Sequence, residues 1–305
     1  MRVQKMIFFG LLCFFSCEYT DDNVNFLDIK TFPGREKDFS LWQLDQFDDV
    51  VQMGYIIKTD DDSLIVVDGG GADSVNIVED YLVQLGGKVD AWIITHPHED
   101  HAGVLIEVLK RKEIIITKIL HSALNEEWVR LNEMKSYSFL VKYNKTIKNS
   151  EVLILDVKTN DIFSIGNGVD LKVIGDRNEW INFNPVNNSS LVFKIMSENK
   201  SILFLGDLGV EGGDEILRST DESELKVDYV QMAHHGQNGV NKNFYEAIQA
   251  EYTLWPTPIW LWENRIDNGR INSGPFATLI VRQWMDDLLI KKYYVSGIEG
   301  NIQID

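Results

Sequence analysis

The chain has 305 residues, 44% hydrophobic and 25% charged, which is the composition of an ordinary globular protein with a sizeable core. Its formal net charge of −18 excludes the basic surface that proteins use to hold duplex nucleic acid, so we expect no strong nucleic-acid binding. Its two cysteines, Cys13 and Cys17, both lie near the N-terminus. This position excludes an internal disulfide or a thiolate metal site in the rest of the chain.

The first residues have the pattern of a secretory signal. Arg2 and Lys5 precede an apolar run at 6–15, which is too short to span a bilayer permanently. The run ends at Ser16-Cys17 and resembles the lipobox of bacterial lipoproteins, in which the cysteine is lipidated; a plain cleaved signal with an incidental Cys17 is the alternative. We predict a signal peptide at 1–16, a tether and N-terminal extension at 17–40, and one folded domain at 41–305. The protein is then expected to be exported and anchored to the membrane by Cys17, as a bacterial lipoprotein facing outside the cytoplasm.

Strand and helix patterns alternate along the remaining chain. The predicted strands are, in chain order, 53–59, 63–68, 91–95, 114–120, 152–157, 171–174, 191–196, 202–205, 227–232, 292–295 and 301–304. The predicted helices are 73–85, 103–111, 125–143, 244–250 and 277–289. This interspersed order predicts a mixed α/β fold, and two β layers covered by helices on both outer faces would accommodate it.

The stretch 96–101 holds three of the six histidines of the chain, directly after an apolar strand. An extended backbone places His96 and His98 on the same side, whereas Asp100 and His101 turn away to address a second point. Neutral imidazole and carboxylate suit zinc, manganese or iron where no cysteine is available. We interpret the stretch as part of a metal site; a solvated loop that happens to be rich in histidine is the weaker alternative.

The pattern His-x-His-x-Asp-His after a strand is the signature of the metallo-β-lactamase superfamily. From about Met53 to Asp305, the chain resembles the branch found as the soluble hydrolase domain of DNA-uptake (competence) channel proteins. The resemblance implies a four-layer αββα metallo-β-lactamase sandwich for the domain at 41–305. It also implies that Asp68, in the run 67–70, orients the metal-binding histidines from behind, and that Asp207, in the run 204–208, bridges two metal ions.

A second pair of histidines is similar to the pair that closes the site in this branch. The resemblance implies that His235 binds the second ion and that His234 is a supporting donor or a contact to the substrate. The metal ligands implied together are His96, His98, Asp100, His101, Asp207 and His235. The cofactor expected is a divalent metal, zinc or manganese, as one or two ions.

The chain departs from the family pattern at one ligand. Many members supply a third histidine to the first ion, but the corresponding stretch 185–191 contains asparagine and serine and no histidine. Water, Asn188 or a substrate oxygen would then complete the coordination of that ion. His121 follows an apolar strand and is either a stray ligand or, more often for such a residue, structural. Three tryptophans line a substrate rim or belong to the core: Trp255, Trp260 and Trp262.

These ligands imply a metal-dependent hydrolase that uses a metal-bound hydroxide, with Asp100 and Asp207 as catalytic residues. Phosphodiesters are the first candidate substrates because the branch resemblance favours them, and the acidic charge does not forbid them because bound cations can reverse its sign locally. Esters, lactones or amides, as small molecules, are the alternative. A catalytically silent surface binding protein of the same fold is a third hypothesis, against which the complete set of six predicted ligands argues.

Overall fold

A computed structural model describes residues 38–266 and 269–305 of the chain. The predicted signal peptide at 1–16, Cys17 and almost all of the extension at 17–40 lie outside these residues. The first strand begins at Phe39, inside the stretch assigned to the extension. Within the described residues, none of the helices combines the length and the apolar character needed to cross a bilayer.

The strands of the described residues are short and follow one another throughout the chain. In order, they are β1 (Phe39–Gln43), β2 (Gly54–Thr59), β3 (Leu64–Asp68), β4 (Lys88–Val89), β5 (Ala91–Ile93), β6 (Ile115–Ile116), β7 (Lys118–His121), β8 (Leu153–Asp156), β9 (Ile162–Gly166), β10 (Val169–Gly175), β11 (Val192–Met196), β12 (Ser201–Phe204), β13 (Tyr229–Gln231), β14 (Tyr252–Trp255), β15 (Lys292–Val295) and β16 (Ile302–Ile304).

The helices fall between these strands. In order, they are α1 (Val75–Gln84), α2 (Glu99–Arg111), α3 (Glu126–Asn132), α4 (Met134–Lys148), α5 (Pro185–Asn188), α6 (Val210–Ser219), α7 (Glu222–Leu225), α8 (Ala233–Gly236), α9 (Lys242–Ile248), α10 (Ile259–Trp262), α11 (Thr278–Asp287) and α12 (Ser296–Glu299).

Two seven-stranded sheets form the centre of the domain. The first has the strand order β16-β1-β2-β3-β5-β7-β8 and the second the order β15-β14-β13-β12-β11-β10-β9. One buried apolar cluster joins residues of both sheets, such as Tyr55 of the first and Phe204 of the second, whose rings meet edge to face at 5.2 Å. A second cluster packs α6, α9 and α11 against the outer face of the second sheet. Helices α1, α2 and α4 pack together beside the first sheet. The predicted αββα sandwich is confirmed.

Each sheet is part parallel and part antiparallel, and this positions the site. Strands β3, β5, β7 and β8 run parallel in the first sheet, as do β12 to β15 in the second. Parallel strands bring their carboxyl ends to one edge, where α/β proteins bind ligands. Asp68 ends β3, His96 follows β5, Asp207 follows β12 and His234-His235 follow β13.

Several elements differ from the sequence prediction. Helix α2 starts at Glu99 rather than Gly103, so Asp100 and His101 lie in its first turn and not on an extended loop. Position 103 lies inside this helix and requires glycine, because an added Cβ there would overlap the backbone of Gly71 and Ala72. The predicted strand at 114–120 is two strands, β6 and β7, in different sheets. The predicted helix at 125–143 is two helices that meet at Glu133.

The sequence prediction also omitted elements that the structure contains: β1, β9, β14 and α6. Helix α6 carries two consecutive glycines, Gly212 and Gly213, which disfavour a helix in isolation. Its tertiary contacts require them, because a Cβ on Gly213 would lie 2.8 Å from a methyl group of Val240.

Candidate metal centre

Six of the predicted ligands converge at the carboxyl edge of the two sheets. They form two clusters that share Asp207, and within each cluster the ligand atoms lie within 4.8 Å of one another. We call the group His96, His98 and Asp207 the first cluster. The group Asp100, His101, Asp207 and His235 is the second cluster. The roles of these residues as ligands remain a prediction from the sequence; the structure adds that their side chains meet.

The first cluster contains two imidazoles and one carboxylate. His96 Nε2 lies 3.0 Å from His98 Nδ1 and 3.9 Å from Asp207 Oδ2. His96 and Asp207 are buried, whereas His98 is partly exposed. The three protein donors therefore face one point and leave part of its surroundings to other groups.

The second cluster has four protein donors and several atoms without partners. His101 Nε2 lies 3.3 Å from Asp207 Oδ1, and His235 Nε2 lies 3.3 Å from Asp100 Oδ2. Among the described residues, the buried atoms His101 Nε2, His235 Nε2 and Asp207 Oδ1 have no hydrogen-bond partner. Buried polar atoms normally have partners, and leaving one unpaired costs about 1–3 kcal/mol. Their convergence fits a divalent cation, which such donors would bind directly.

Asp68 lies behind the histidines, as the family resemblance implies. Its Oδ2 is 2.8 Å from His101 Nδ1 and accepts a hydrogen bond of 2.8 Å from the Thr95 hydroxyl. The same hydroxyl lies 3.1 Å from His96 Nδ1, so Asp68 reaches His96 through Thr95. Such outer carboxylates fix the tautomer and direction of metal-binding imidazoles. Thr95 was not predicted from the sequence as a site residue, although its position directly before His96 could have indicated this role.

Glu133 holds the outer face of His98 and was also missed. Its Oε1 lies 3.2 Å from His98 Nε2 and accepts a bond of 2.6 Å from the Ser136 hydroxyl, while Oε2 accepts the Val186 N–H at 3.1 Å. Burial opposes ionisation of Glu133, but its hydrogen bonds with His98 and Ser136 lower its pKa to about 2. Because Glu133 is 35 residues from His98 in sequence, no local pattern could have connected them.

An unusual backbone separates the roles of His234 and His235. Both have left-handed conformations, with φ of 52° and 56°, which non-glycine residues seldom adopt outside functional sites. His235 is thereby turned into the second cluster and its Nδ1 is 2.9 Å from the Pro256 carbonyl oxygen. His234 is partly exposed, and its Nε2 lies 3.7 Å from Asp207 Oδ2.

The side chain of Asn188 is occupied elsewhere. Its Nδ2 donates to the Phe183 carbonyl oxygen at 2.8 Å, and its Oδ1 accepts the Gly212 N–H at 2.9 Å. These bonds tie the turn at 185–188 to helix α6, and we therefore correct the suggestion that Asn188 completes the first ion. Its neighbour Asn187 instead lies beside the centre, with Nδ2 at 3.4 Å from His234 Nε2.

The remaining candidates lie away from the clusters. His121 is buried and its Nδ1 lies 3.1 Å from the Tyr143 hydroxyl; burial lowers its pKa to about 4. Trp255 is buried in the cluster under α11, and Trp262 packs edge to face against it at 5.1 Å. Trp260 donates its indole N–H to the Asp49 carbonyl oxygen at 2.9 Å. These contacts give the three tryptophans structural partners.

Charge is balanced inside the centre by the close approach of carboxylates and imidazoles. Burial opposes ionisation of Asp207, yet His235 and His101 hold the pKa of its carboxyl well below the ordinary value. Burial also disfavours a charged His101, but Asp207 and Asp100 raise its pKa. At His96, burial and the neighbouring His101 both lower the pKa. A divalent cation that binds here would displace protons from the histidines of the second cluster.

A cleft of about 680 Å³ is lined by Glu133 and His234, which contact His98 and Asp207 of the first cluster. Its walls carry many amide side chains, including Asn182, Asn184 and Gln237, and an exposed aromatic ring, Phe183. This volume is within the range of small-molecule sites.

Comparison with known proteins agrees with this architecture. A sequence profile of the metallo-beta-lactamase superfamily matches residues 48–250, which is more than half of the chain. ComE operon protein 3 of Bacillus subtilis (strain 168) is 28% identical over 171 residues, which cover 55% of this chain and 20% of that protein. RNase aCSPSF2 of Saccharolobus solfataricus is 23% identical over 229 residues, covering 66% of this chain and 44% of that protein. The chain thus spans less than half the length of either relative.

Among solved structures, the metallo-beta-lactamase fold protein YhfI from Bacillus subtilis is similar in fold, with a TM-score of 0.54 at 10% identity. The match covers 88% of this chain and 100% of YhfI. Fold, motif positions and the sequence profile therefore agree, and the chain belongs to the metallo-beta-lactamase superfamily.

Proposed function

We propose that the protein is a metal-dependent hydrolase whose catalytic centre comprises the two clusters. One observation carries this proposal: His101 Nε2, His235 Nε2 and Asp207 Oδ1 are buried and make no hydrogen bond among the described residues, although Asp207 Oδ1 lies only 3.3 Å from the first nitrogen and 3.6 Å from the second. A purely structural cluster would pair these atoms, because an unpaired buried donor or acceptor is costly. A divalent cation gives all three a partner.

Asp207 and Asp100 have different roles in the proposed reaction. Asp207 presents Oδ1 to the second cluster and Oδ2 to the first, so one carboxylate addresses both. Asp100 is the most exposed member of the second cluster, with 35% of its side chain accessible, and this makes it the residue to orient an incoming water molecule. A divalent cation bound at these residues would supply Lewis-acid polarisation of the substrate and acidify the attacking water.

Phosphodiesters are the substrates that we propose first. The relative named as an RNase supports this class, and bound cations would offset the acidic character of the chain at the reacting phosphate. An ester, lactone or amide substrate is the second candidate. The specific observation in its favour is the cleft, whose many amide side chains suit an uncharged polar molecule better than a long polyanion.

Turnover of a reporter panel tests the proposal. The purified chain, loaded with zinc or manganese, is assayed with bis(p-nitrophenyl) phosphate, a chromogenic lactone and a chromogenic β-lactam, with and without a chelator. We expect chelator-sensitive cleavage of the phosphodiester. Chelator-sensitive cleavage of the lactone alone would select the ester, lactone or amide class of substrates. Tight metal binding without turnover of any reporter would contradict hydrolysis and favour a silent binding protein.

We also propose that the protein is exported and anchored through Cys17. The support is the basic start, the short apolar run at 6–15 and the Ser16-Cys17 pair. Fractionation of cells that express the wild-type chain and Cys17→Ala is the test. The wild type should be in the membrane fraction and the variant should not. Equal distribution of both would contradict the anchor.

A further inference from the structure

The amide of Asn187 has one end bonded and one end without a partner. Asn187 lies in the short helix α5 and is 4% exposed. Its Nδ2 lies 3.4 Å from His234 Nε2. Its Oδ1 is buried and has no hydrogen-bond partner among the described residues. A buried amide oxygen left in this state costs about 1–3 kcal/mol, so it calls for a group that can pair with it.

The tautomer of His234 fixes which end of the amide is free. His234 Nδ1 lies 3.3 Å from the Asn238 carbonyl oxygen, and a carbonyl only accepts. A proton on Nδ1 suits this contact, and Nε2 is then an acceptor for the amide nitrogen that lies 3.4 Å away. An acceptor at Nε2 requires the amide nitrogen of Asn187 to face it. The amide oxygen is consequently the free end, and it can pair only with a donor or a cation.

The free oxygen belongs to a turn that closes on the first cluster. The Asn187 carbonyl accepts the N–H of Ser190 at 3.0 Å. The Ser190 hydroxyl lies 3.4 Å from His96 Nδ1 and accepts the Asp207 N–H at 3.1 Å. His234, to which the Asn187 amide is bonded, lies 3.7 Å from Asp207 Oδ2, the oxygen that faces His96. The turn at 187–190 therefore contacts two of the three residues of the first cluster.

The two clusters differ in their number of protein donors. The second cluster has four protein donors and the first has three. We propose that Asn187 Oδ1 is the fourth protein donor to the ion at the first cluster. This assignment rests on the proposed metal centre. Amide oxygen is a known ligand of divalent cations, and because it is harder than imidazole, it suits manganese better than zinc at the place of the missing histidine.

Metal binding by three variants tests the assignment. The two association constants are measured by chelator competition, with metal content by mass spectrometry, for the wild type, Asn187→Ala and Asn187→Asp. Because changes to groups that only support a ligand already weaken binding about 10–100-fold, we expect Asn187→Ala to weaken one of the two ions by at least this factor. The other constant should not change. Asn187→Asp keeps an oxygen donor and should restore binding.

Asn182→Ala is the matched control, because Asn182 is an exposed amide of the same loop. It should leave both constants within about twofold, well inside the effect expected for a ligand. The Co²⁺-loaded proteins give a second readout, since the absorption of the ion at the first cluster should change in Asn187→Ala and not in Asn182→Ala.

The outcomes separate this assignment from the proposed function. A wild-type protein that binds no divalent ion would overturn both. A wild type with two ions and an Asn187→Ala variant with unchanged constants and spectrum would overturn the role of Asn187 alone. The role is also overturned if His234→Ala loses the first ion while Asn187→Ala keeps it, because His234 would then be the ligand.

Discussion

The two clusters of the centre are built from the same residue types but are held in different ways. In the second, His101, His235 and Asp207 are buried and only Asp100 is partly exposed, and the outer nitrogens of both histidines contact fixed partners, Asp68 and the Pro256 carbonyl. The first is open on one side, where His98 is partly exposed and contacts Glu133 at the wall of the cleft.

Because of this difference, we expect the two clusters to bind their ions with different affinities. An ion with four protein donors is expected to bind more tightly than one with three, and the ion at the first cluster also depends on groups from the α3–α4 junction and from the turn at 185–190.

Asp207→Asn should abolish the contrast altogether. The change replaces the carboxylate that faces both clusters with a neutral amide of the same shape, so both ions should be lost. Activity should fall by more than about 100-fold, the upper range for changes that only support a ligand. Metal analysis and turnover after dialysis measure this, with the exposed Asp214→Asn as control. Retention of both ions in Asp207→Asn would refute the shared role.

His98→Ala should remove one ion and leave the other. His98 belongs only to the first cluster, so metal content should fall from two ions to one while activity is lost. His121→Ala, a histidine buried against Tyr143 and outside both clusters, should leave the metal content of the folded protein nearly intact. Equal metal loss in both variants would show that the histidines are wrongly assigned.

Glu133→Gln should weaken the binding of the ion at the first cluster without abolishing it. The change preserves shape but removes the charge that holds His98 Nε2, and such outer carboxylates affect metal affinity about 10–100-fold. Chelator competition should show one weakened constant and one unchanged. The control is Glu113→Gln, an exposed glutamate just beyond α2. Equal weakening of both ions would contradict the separate anchoring of the first cluster.

The last prediction concerns stability and not metal binding. Burial lowers the pKa of His121 to about 4, below its ordinary value of 6.5. The unfolded chain therefore takes up this proton first, and stability of up to about 3 kcal/mol is lost as the pH falls from 6.5 towards 4. Urea unfolding in the presence of a chelator should show a shallower loss for His121→Gln than for the wild type. Parallel pH profiles would contradict this.

Much of the centre could be predicted because its ligands follow strands directly. The motif at 96–101 and the residues Asp68, Asp207 and His235 each stand at a strand end or just after it, where sequence and position coincide. Glu133 and Asn187 could not be predicted in this way. Glu133 lies where two helices meet, and Asn187 differs from Asn188 only in the direction of its side chain, which the fold decides.

The fold was predictable in class but not at its edges. Most of the apolar strands that enter the core were predicted, whereas β1, β9 and β14 were not, and the first two residues of β1 were assigned to the extension. Helix α6 was missed because of Gly212 and Gly213. The start of α2 at Glu99 was missed because the motif residues are polar and no apolar period reaches them. In each case tertiary packing outweighed the local pattern.

Anomalous diffraction from crystals grown with zinc or manganese would show directly whether the two clusters bind metal ions. We predict two peaks about 3.5–4 Å apart, the usual separation in two-metal sites. One should be bound by His96, His98 and Asp207, and the other by Asp100, His101, Asp207 and His235. Crystals with no peak at these side chains, at metal concentrations that saturate ordinary metal enzymes, would contradict the account.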